Sequence, residues 1–247
     1  VTVLELSGLT WSVGAVTIVE KVDLAVDEGE FVAVIGPNGA GKTSLFNLLS
    51  GVTRPTGGTI RLDGTDITAL PPHRRARRGM GRTFQSSSVF PTMTVAQHVA
   101  LAARAVGVKR VADDGEGVRS VLERVRLGHR GDDLAAGLSH GDKRKLELAM
   151  LLAPTLDQGG GGPRLMLLDE PMAGVAAEEV DELTDVIRTL HRTEGRTVLM
   201  VEHHMDILLG LADRVAVMHH GTLLAVGTPD AVMADLTVQE AYVGEEL

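Results

Sequence analysis

Five consecutive apolar residues, Phe31-Val32-Ala33-Val34-Ile35, run into a glycine-rich stretch, and from about Leu45 the pattern becomes amphipathic. A short unbroken apolar run predicts a strand covered on both faces, and the following pattern predicts a helix. Arg164 to Leu168 and Val198 to Val201 are runs of the same kind and predict two more buried parallel strands. The first 35 residues read as short strands. Thr59 to Leu62 and Thr65 to Ile67 flank Asp63-Gly64, a hairpin signal. From Thr94 to Arg126 the period turns helical, interrupted by a loop at Asp113 to Gly117. Strands and helices alternate, which predicts an α/β fold.

The glycine-rich stretch sits between a predicted strand and a predicted helix. Its residues, Gly36, Pro37, Asn38, Gly39, Ala40, Gly41, Lys42, Thr43 and Ser44, satisfy the spacing G-x-x-x-x-G-K-[ST]. Glycines let successive backbone N–H groups turn toward phosphate oxygens, and the helix N-terminus adds partial positive charge. Lys42 is placed to bridge the outer phosphates, and Thr43 to hold Mg²⁺. A second metal anchor is expected at the end of Leu165-Met166-Leu167-Leu168-Asp169-Glu170. Asp169 is the candidate Mg²⁺ ligand and Glu170 the candidate general base for an attacking water. At Leu138-Ser139-His140-Gly141-Asp142 another helix begins, with Leu146, Ala149, Met150 and Ala153 on one face, so Ser139 and Gly141 offer a second anion site. If the two loops lie on opposite lobes, a partner must supply the second loop for each nucleotide.

Composition narrows this little. The 247 residues, 44% hydrophobic, suffice for a large core without cross-links, and there are no cysteines to form disulfides or thiolate metal sites. A formal charge of −9 argues against nucleic acid as partner. No stretch reaches the roughly 18 apolar residues of a membrane span, so any membrane association is expected to be peripheral. His73-Arg74-Arg75-Ala76-Arg77-Arg78 reads first as a solvated helix face, with a lipid headgroup or partner chain as the alternatives. Gly159 to Gly162 reads as an exposed flexible spacer.

With Arg82-Thr83-Phe84-Gln85 and Val201-Glu202-His203-His204-Met205 added, five motifs stand in the order found in the ATP-binding subunits of ABC transporters, and the chain resembles that family over essentially its whole length. The resemblance implies one domain over 1–247: a RecA-like P-loop NTPase core, an antiparallel β subdomain and a helical subdomain inserted at about 86–155. It implies two ATPs sandwiched head to tail between two subunits, with Ser139 and Gly141 of one facing the γ-phosphate held by Lys42 of the other. Gln85 would sense Mg²⁺ and the attacking water, and His203 would hold the γ-phosphate and orient Glu170; His204 is read as structural. Met93-Thr94-Val95 and Gly227-Thr228-Pro229 through Glu245 look like ATPases of importers for branched-chain amino acids, urea and related amides. Ala69-Leu70-Pro71-Pro72-His73 through Arg82 and the ending Tyr242 to Leu247 are also similar to the ATPase of lipopolysaccharide export, and a regulatory non-hydrolysing subunit is a further alternative. The implied partners are permease chains, a substrate-binding protein and a second, different ATPase, at the cytoplasmic face of the membrane.

Three positions depart from the family pattern. Val13 stands where an aromatic normally stacks on adenine, and Trp11, two residues earlier, is the candidate replacement or simply packing. Asp142 replaces a glutamine and is expected to oppose closure unless Lys143 or Arg144 compensates. Ala176 replaces the aspartate or asparagine that links the two sites, so coupling between them is expected to weaken.

Overall fold

The computed structural model describes residues 1–84, 89–108, 111, 115–156 and 162–243. Gln85, most of the glycine spacer and the last four residues lie outside these. The chain opens with β1 (Thr2–Val13) and β2 (Val16–Asp27), then β3 (Phe31–Ile35) and α1 (Lys42–Ser50). It continues through β4 (Gly57–Leu62), β5 (Thr65–Asp66), α2 (Pro72–Arg77) and β6 (Met80–Arg82). Three helices follow, α3 (Val95–Val106), α4 (Glu116–Arg124) and α5 (His140–Leu152), before β7 (Leu165–Asp169) and α6 (Ala177–Arg192). The remainder is β8 (Val198–Val201), α7 (Met205–Leu211), β9 (Arg214–His219), β10 (Thr222–Gly227), α8 (Pro229–Met233) and α9 (Leu236–Val243).

Two sheets result. One is antiparallel, in the order β2-β1-β4-β5; the other runs β10-β9-β3-β8-β7-β6, parallel except for β10. The α/β expectation holds, and so does the hairpin at Asp63-Gly64. The first strands are not short, since β1 and β2 span 12 residues each. Register shifts along β1 absorb the breaks in alternation, so the strand keeps pairing with both β2 and β4 where the sequence pattern suggested interruption.

Three neighbouring interior strands serve two cores at once. Phe31, Ala33 and Ile35 of β3, Met166 and Leu168 of β7, and Val198 and Met200 of β8 join the helices on one side. Val32 and Val34, Leu165 and Leu167, and Leu199 and Val201 face the antiparallel sheet on the other. Strict alternation with no polar face is what a doubly covered parallel strand requires.

Helix α1 packs into the core on the side of the antiparallel sheet through Leu45, Phe46, Leu48 and Leu49, all fully buried. Its far end is closed by an arginine of the basic cluster. His73, Arg74, Arg77 and Arg78 are exposed, as a solvated face demands, but Arg75 is 1% exposed. The Arg75 guanidinium donates to the carbonyls of Leu48 and Leu49 at 2.6 Å, Thr68 at 2.8 Å and Leu70 at 2.9 Å. A cation at the C-terminal end satisfies carbonyls the helix leaves unpaired and opposes its dipole. Burial pushes the Arg75 pKa down to about 10, still charged at neutral pH. Gly51 makes room for it: the residue sits at φ 79°, and a Cβ there would lie 2.8 Å from the Arg75 Nε.

Replacing Arg75 by Met leaves those carbonyls without their donor, so unfolding free energy should fall by about 3 kcal/mol. Urea denaturation checks this, with Arg74→Met as the control expected to change the midpoint little.

Candidate active site

After β3 the chain doubles back through residues 36–41 into α1. Gly36 takes φ 146°, and a Cβ there would overlap the Met218 carbonyl of β9; Gly41 takes φ 99° as the residue capping α1. Gly41 has no side chain to cap α1, and a helix N-terminus is suited to an external anion. A cleft of about 380 Å³ is lined by Ile18, residues 38–44, Glu170 and His203. Lys42 is 7% exposed and lies back over the loop, its Nζ donating to the carbonyls of Gly36 and, at 2.8 Å, Pro37.

Opposite the loop stand the ends of β7 and β8. Glu170 takes φ 48°, a left-handed conformation that costs a non-glycine residue about 1 to 3 kcal/mol. Its N–H donates to Val201 O at 2.9 Å, and its Oε1 lies 3.1 Å from His203 Nε2. Glu202, 4% exposed, organises this corner: its Oε1 accepts from the Met172 N–H at 2.8 Å and its Oε2 from the His203 N–H at 2.6 Å. His204 turns to Glu202 instead, its Nδ1 at 3.2 Å, so the two histidines engage different carboxylates.

Asp169 is buried at the end of β7. Its N–H donates to Thr83 Oγ1 at 3.1 Å, and its Oδ2 accepts from Arg82 at 2.8 Å. Burial raises its pKa, against the opposing pull of the Arg82 guanidinium. Among the described residues Oδ1 has no hydrogen-bond partner. An orphaned buried carboxylate oxygen, together with the Thr43 hydroxyl lining the cleft, suits a hard cation such as Mg²⁺, which takes oxygen ligands. Arg82 also donates to Asn47 Oδ1 and Ser50 Oγ and lies over the rings of Phe46 and Phe84.

The stretch expected to offer a second anion site lies elsewhere in the chain, at the start of α5. Ser139 caps α5, its Oγ accepting from the Asp142 N–H at 3.1 Å, and neither Ser139 nor Gly141 lines the loop cleft. Asp142 is compensated by neither Lys143 nor Arg144. It pairs with Arg130, 12 residues upstream, and with Lys145 at 2.9 Å, one helical turn along. Arg144 is engaged with Phe84 O at 2.7 Å, Glu147 at 2.9 Å and Ala173 O at 3.3 Å, joining α5 to the segments beside Gln85 and after Glu170.

Trp11 packs on the core between sheet and α1, whereas Ile18 of β2 lines the cleft. Register shifts on both sides of Trp11 break the simple two-residue alternation that put it on one face with Val13, which is 54% exposed. Arg82 and Glu202 stood inside motifs and Arg144 beside Asp142, but none was assigned a role at the site, and Ile18 had no sequence signal; burial of charge beside the motif positions marks the first three.

The fold, with its glycine loop heading α1, is that of a P-loop nucleotide-binding cassette. Residues 19–173 match the family model described as ABC transporter. The chain is 38% identical to the high-affinity branched-chain amino acid transport ATP-binding protein BraF of Pseudomonas aeruginosa and 36% identical to LivG of Escherichia coli, in both cases over 98% of each chain. Identity to the lipopolysaccharide export system ATP-binding protein LptB of Haemophilus influenzae is 35%, over 93% of this chain and 92% of that one. The crystal structure of the ADP conformation of MJ1267, an ATP-binding cassette of an ABC transporter, superposes with a TM-score of 0.84 at 28% identity, covering 99% of this chain and all of that one. The chain belongs to the ABC transporter family, and its fold is that of the family's ATPase cassettes.

Burial pushes the Asp142 pKa up, but Lys145 and Arg130 overcome this and hold it below the usual carboxylate value. Its contribution to stability is therefore complete above the unfolded pKa near 4 and is lost as pH falls through the lower folded value. Asp142→Asn should cost about 2 kcal/mol at pH 6 to 7, a gap that closes below about pH 4 when urea midpoints are compared.

Proposed function

We propose that the chain is the ATP-hydrolysing subunit of an importer for branched-chain amino acids, urea or related amides. The observation that carries the hydrolytic reading is the 3.1 Å contact between Glu170 and His203 on the far wall of the Lys42 loop cleft. Residues 36–44 hold the phosphates of ATP, with Lys42 swinging from the carbonyls of Gly36 and Pro37 onto the outer phosphates. Thr43 and Asp169 hold Mg²⁺, with Gln85 as a further contact. Bound there, Mg²⁺ neutralises charge on the phosphate oxygens. Glu170 accepts a proton from the attacking water, and His203 fixes the Glu170 carboxylate and contacts the γ-phosphate. Positioning and charge stabilisation supply the catalysis, since phosphoryl transfer asks little covalent chemistry of the protein. Adenine rests on an aliphatic surface that includes Ile18 and Val13, with Trp11 supporting it from the core.

Each ATP is completed by Ser139 and Gly141 of a second subunit, a different ATPase in this reading, so that binding closes the pair and hydrolysis reopens it. The whole chain, 1–247, acts as one cassette, and the helical lobe at about 86–155 is its moving part. Among the described residues no helix is long and apolar enough to cross a membrane. Force passes instead to permease subunits at the cytoplasmic face. Their cytoplasmic segment docks in an apolar groove of about 410 Å³ walled by Phe84, Ala102, Val106, Met150 and Leu151. Arg82, which also lines this groove, connects it directly to Asp169. A substrate-binding protein completes the system. The similarity to an export ATPase supports a second reading, lipid export, through the same chemistry.

Lys42→Ala should lose binding of a fluorescent ATP analogue, whereas Glu170→Gln should bind ATP and lower turnover at least a hundredfold. Undiminished turnover in Glu170→Gln would remove Glu170 from its role. Tagged protein drawn from native membranes in mild detergent should bring permease chains, a second ATPase and an amino-acid or amide binding protein, identified by mass spectrometry. Lipid-export components in their place would establish the second reading. Met150→Glu should abolish this recovery while ATP binding persists.

A further inference from the structure

The anion site at the start of α5 is filled from within the chain. Ser139 Oγ donates to Glu179 Oε1 at 2.6 Å, and the Gly141 N–H donates to Glu179 Oε2 at 3.3 Å. One carboxylate thus takes both donors, one on each oxygen, as a bound phosphate would. The missing side chain at Gly141 fits this contact: a Cβ there would lie 2.9 Å from the Glu179 carboxyl carbon and 3.0 Å from its Cβ. Gly141 is not needed for its backbone angle, because it is not among the residues of positive φ.

Glu179 also belongs to the first turn of α6, so its charge lies at the positive ends of two helices. The residue before α6 is Ala176, which has no side chain able to cap it. The start of α6 is therefore tied to α5 through Glu179, a few residues after Glu170.

We propose that Glu179 is the residue that makes pairing of two cassettes demand ATP rather than ADP, by holding the donors Ser139 and Gly141 that a partner's γ-phosphate must take. The proposal rests on the two-subunit sandwich described above. Two anions cannot share these donors at hydrogen-bond distance without strong repulsion. A γ-phosphate displaces the carboxylate and gains both donors. ADP offers nothing to replace it, so ADP-loaded cassettes stay apart. Displacement also frees the start of α6, and with it the segment that follows Glu170.

The first test needs no partner. In the isotopically labelled chain, the Gly141 amide resonance is followed as inorganic phosphate is added. Half-saturation should require about tenfold less phosphate in Glu179→Gln than in the wild type. Glu178→Gln, the same charge change on an exposed neighbour, should behave like the wild type, and Ser139→Ala added to Glu179→Gln should remove the response. Equal half-saturation in the wild type and Glu179→Gln would overturn the proposal. The second test uses the membrane-extracted complex carrying Glu170→Gln, in which cassette pairing is read by cross-linking. Adding Glu179→Gln should lower the ATP concentration needed about tenfold and let ADP support measurable pairing. An unchanged ATP requirement would overturn the proposal. Absence of ATP-driven pairing in every variant, alongside the expected phosphate result, would overturn the sandwich and this role with it, while leaving the carboxylate's hold on the anion site demonstrated.

Discussion

A helix whose N-cap residue is a glycine, with no side chain to cap it, is the constraint around which this molecule is arranged. Such an end is unfavourable in isolation, and α1 is only nine residues long. Its stability comes from elsewhere. Four fully buried apolar side chains contribute roughly 6 to 12 kcal/mol of gross burial, and Arg75 satisfies the opposite end. Packing and a C-terminal cation together hold the helix rigid while its N-terminus stays available for an anion. Both sheets supply apolar surface to α1, and β3 delivers the chain to its head.

The same economy governs the charged groups around the cleft. Asp169 and Arg82 are both almost fully buried, and such a pair repays its desolvation only through good geometry. Here Arg82 spends its donors on Asp169, Asn47 and Ser50, tying the end of β7 to α1. Among the described residues only one carboxylate oxygen is used, which leaves the other as the acceptor that the proposed Mg²⁺ would take. Arg144 does for the segments around Phe84 and Ala173 what Arg82 does for β7. Groove, Asp169 and α5 are thereby connected by two arginines without any long-range apparatus.

Much of the fold could be read from the chain because its signals are local. In β3, β7 and β8 the signal is the absence of polar positions, and the structure uses both faces. The glycine loop was legible because its chemistry depends on neighbours in sequence. What escaped depends on neighbours in space. Arg75 is chemically identical to Arg74 and Arg77, and a helix of six residues is too short for its period to pick out the inward one. The compensation of Asp142 fell to Arg130 across a loop rather than to the adjacent Lys143. Trp11 was placed by a two-residue alternation that the register shifts on either side of it interrupt. Glu202 carries no motif weight of its own, yet it supports both His203 and the turn after Glu170.

Along α6, Glu179, Glu182 and Asp185 are spaced three residues apart and meet Ser139 with Gly141, Lys145, and Arg126 respectively. This row joins α6 to the elements running from α4 to α5. Its members differ in strength. Arg126 and Asp185 are both nearly half exposed and 3.8 Å apart, a pair worth less than about 1 kcal/mol. Behind the row lies one continuous apolar cluster shared by α3, α4, α5, α6 and the parallel sheet. Opening that cluster to water would cost about 25 cal/mol for each Å² exposed, which soon exceeds the whole row of polar contacts. Sliding that keeps the cluster closed while exchanging rim partners is therefore the inexpensive motion for these helices. The contact between Glu179 and the start of α5 lies at one end of this row, on the donors Ser139 and Gly141 that the proposed partner phosphate would take, so an incoming charge would act there first.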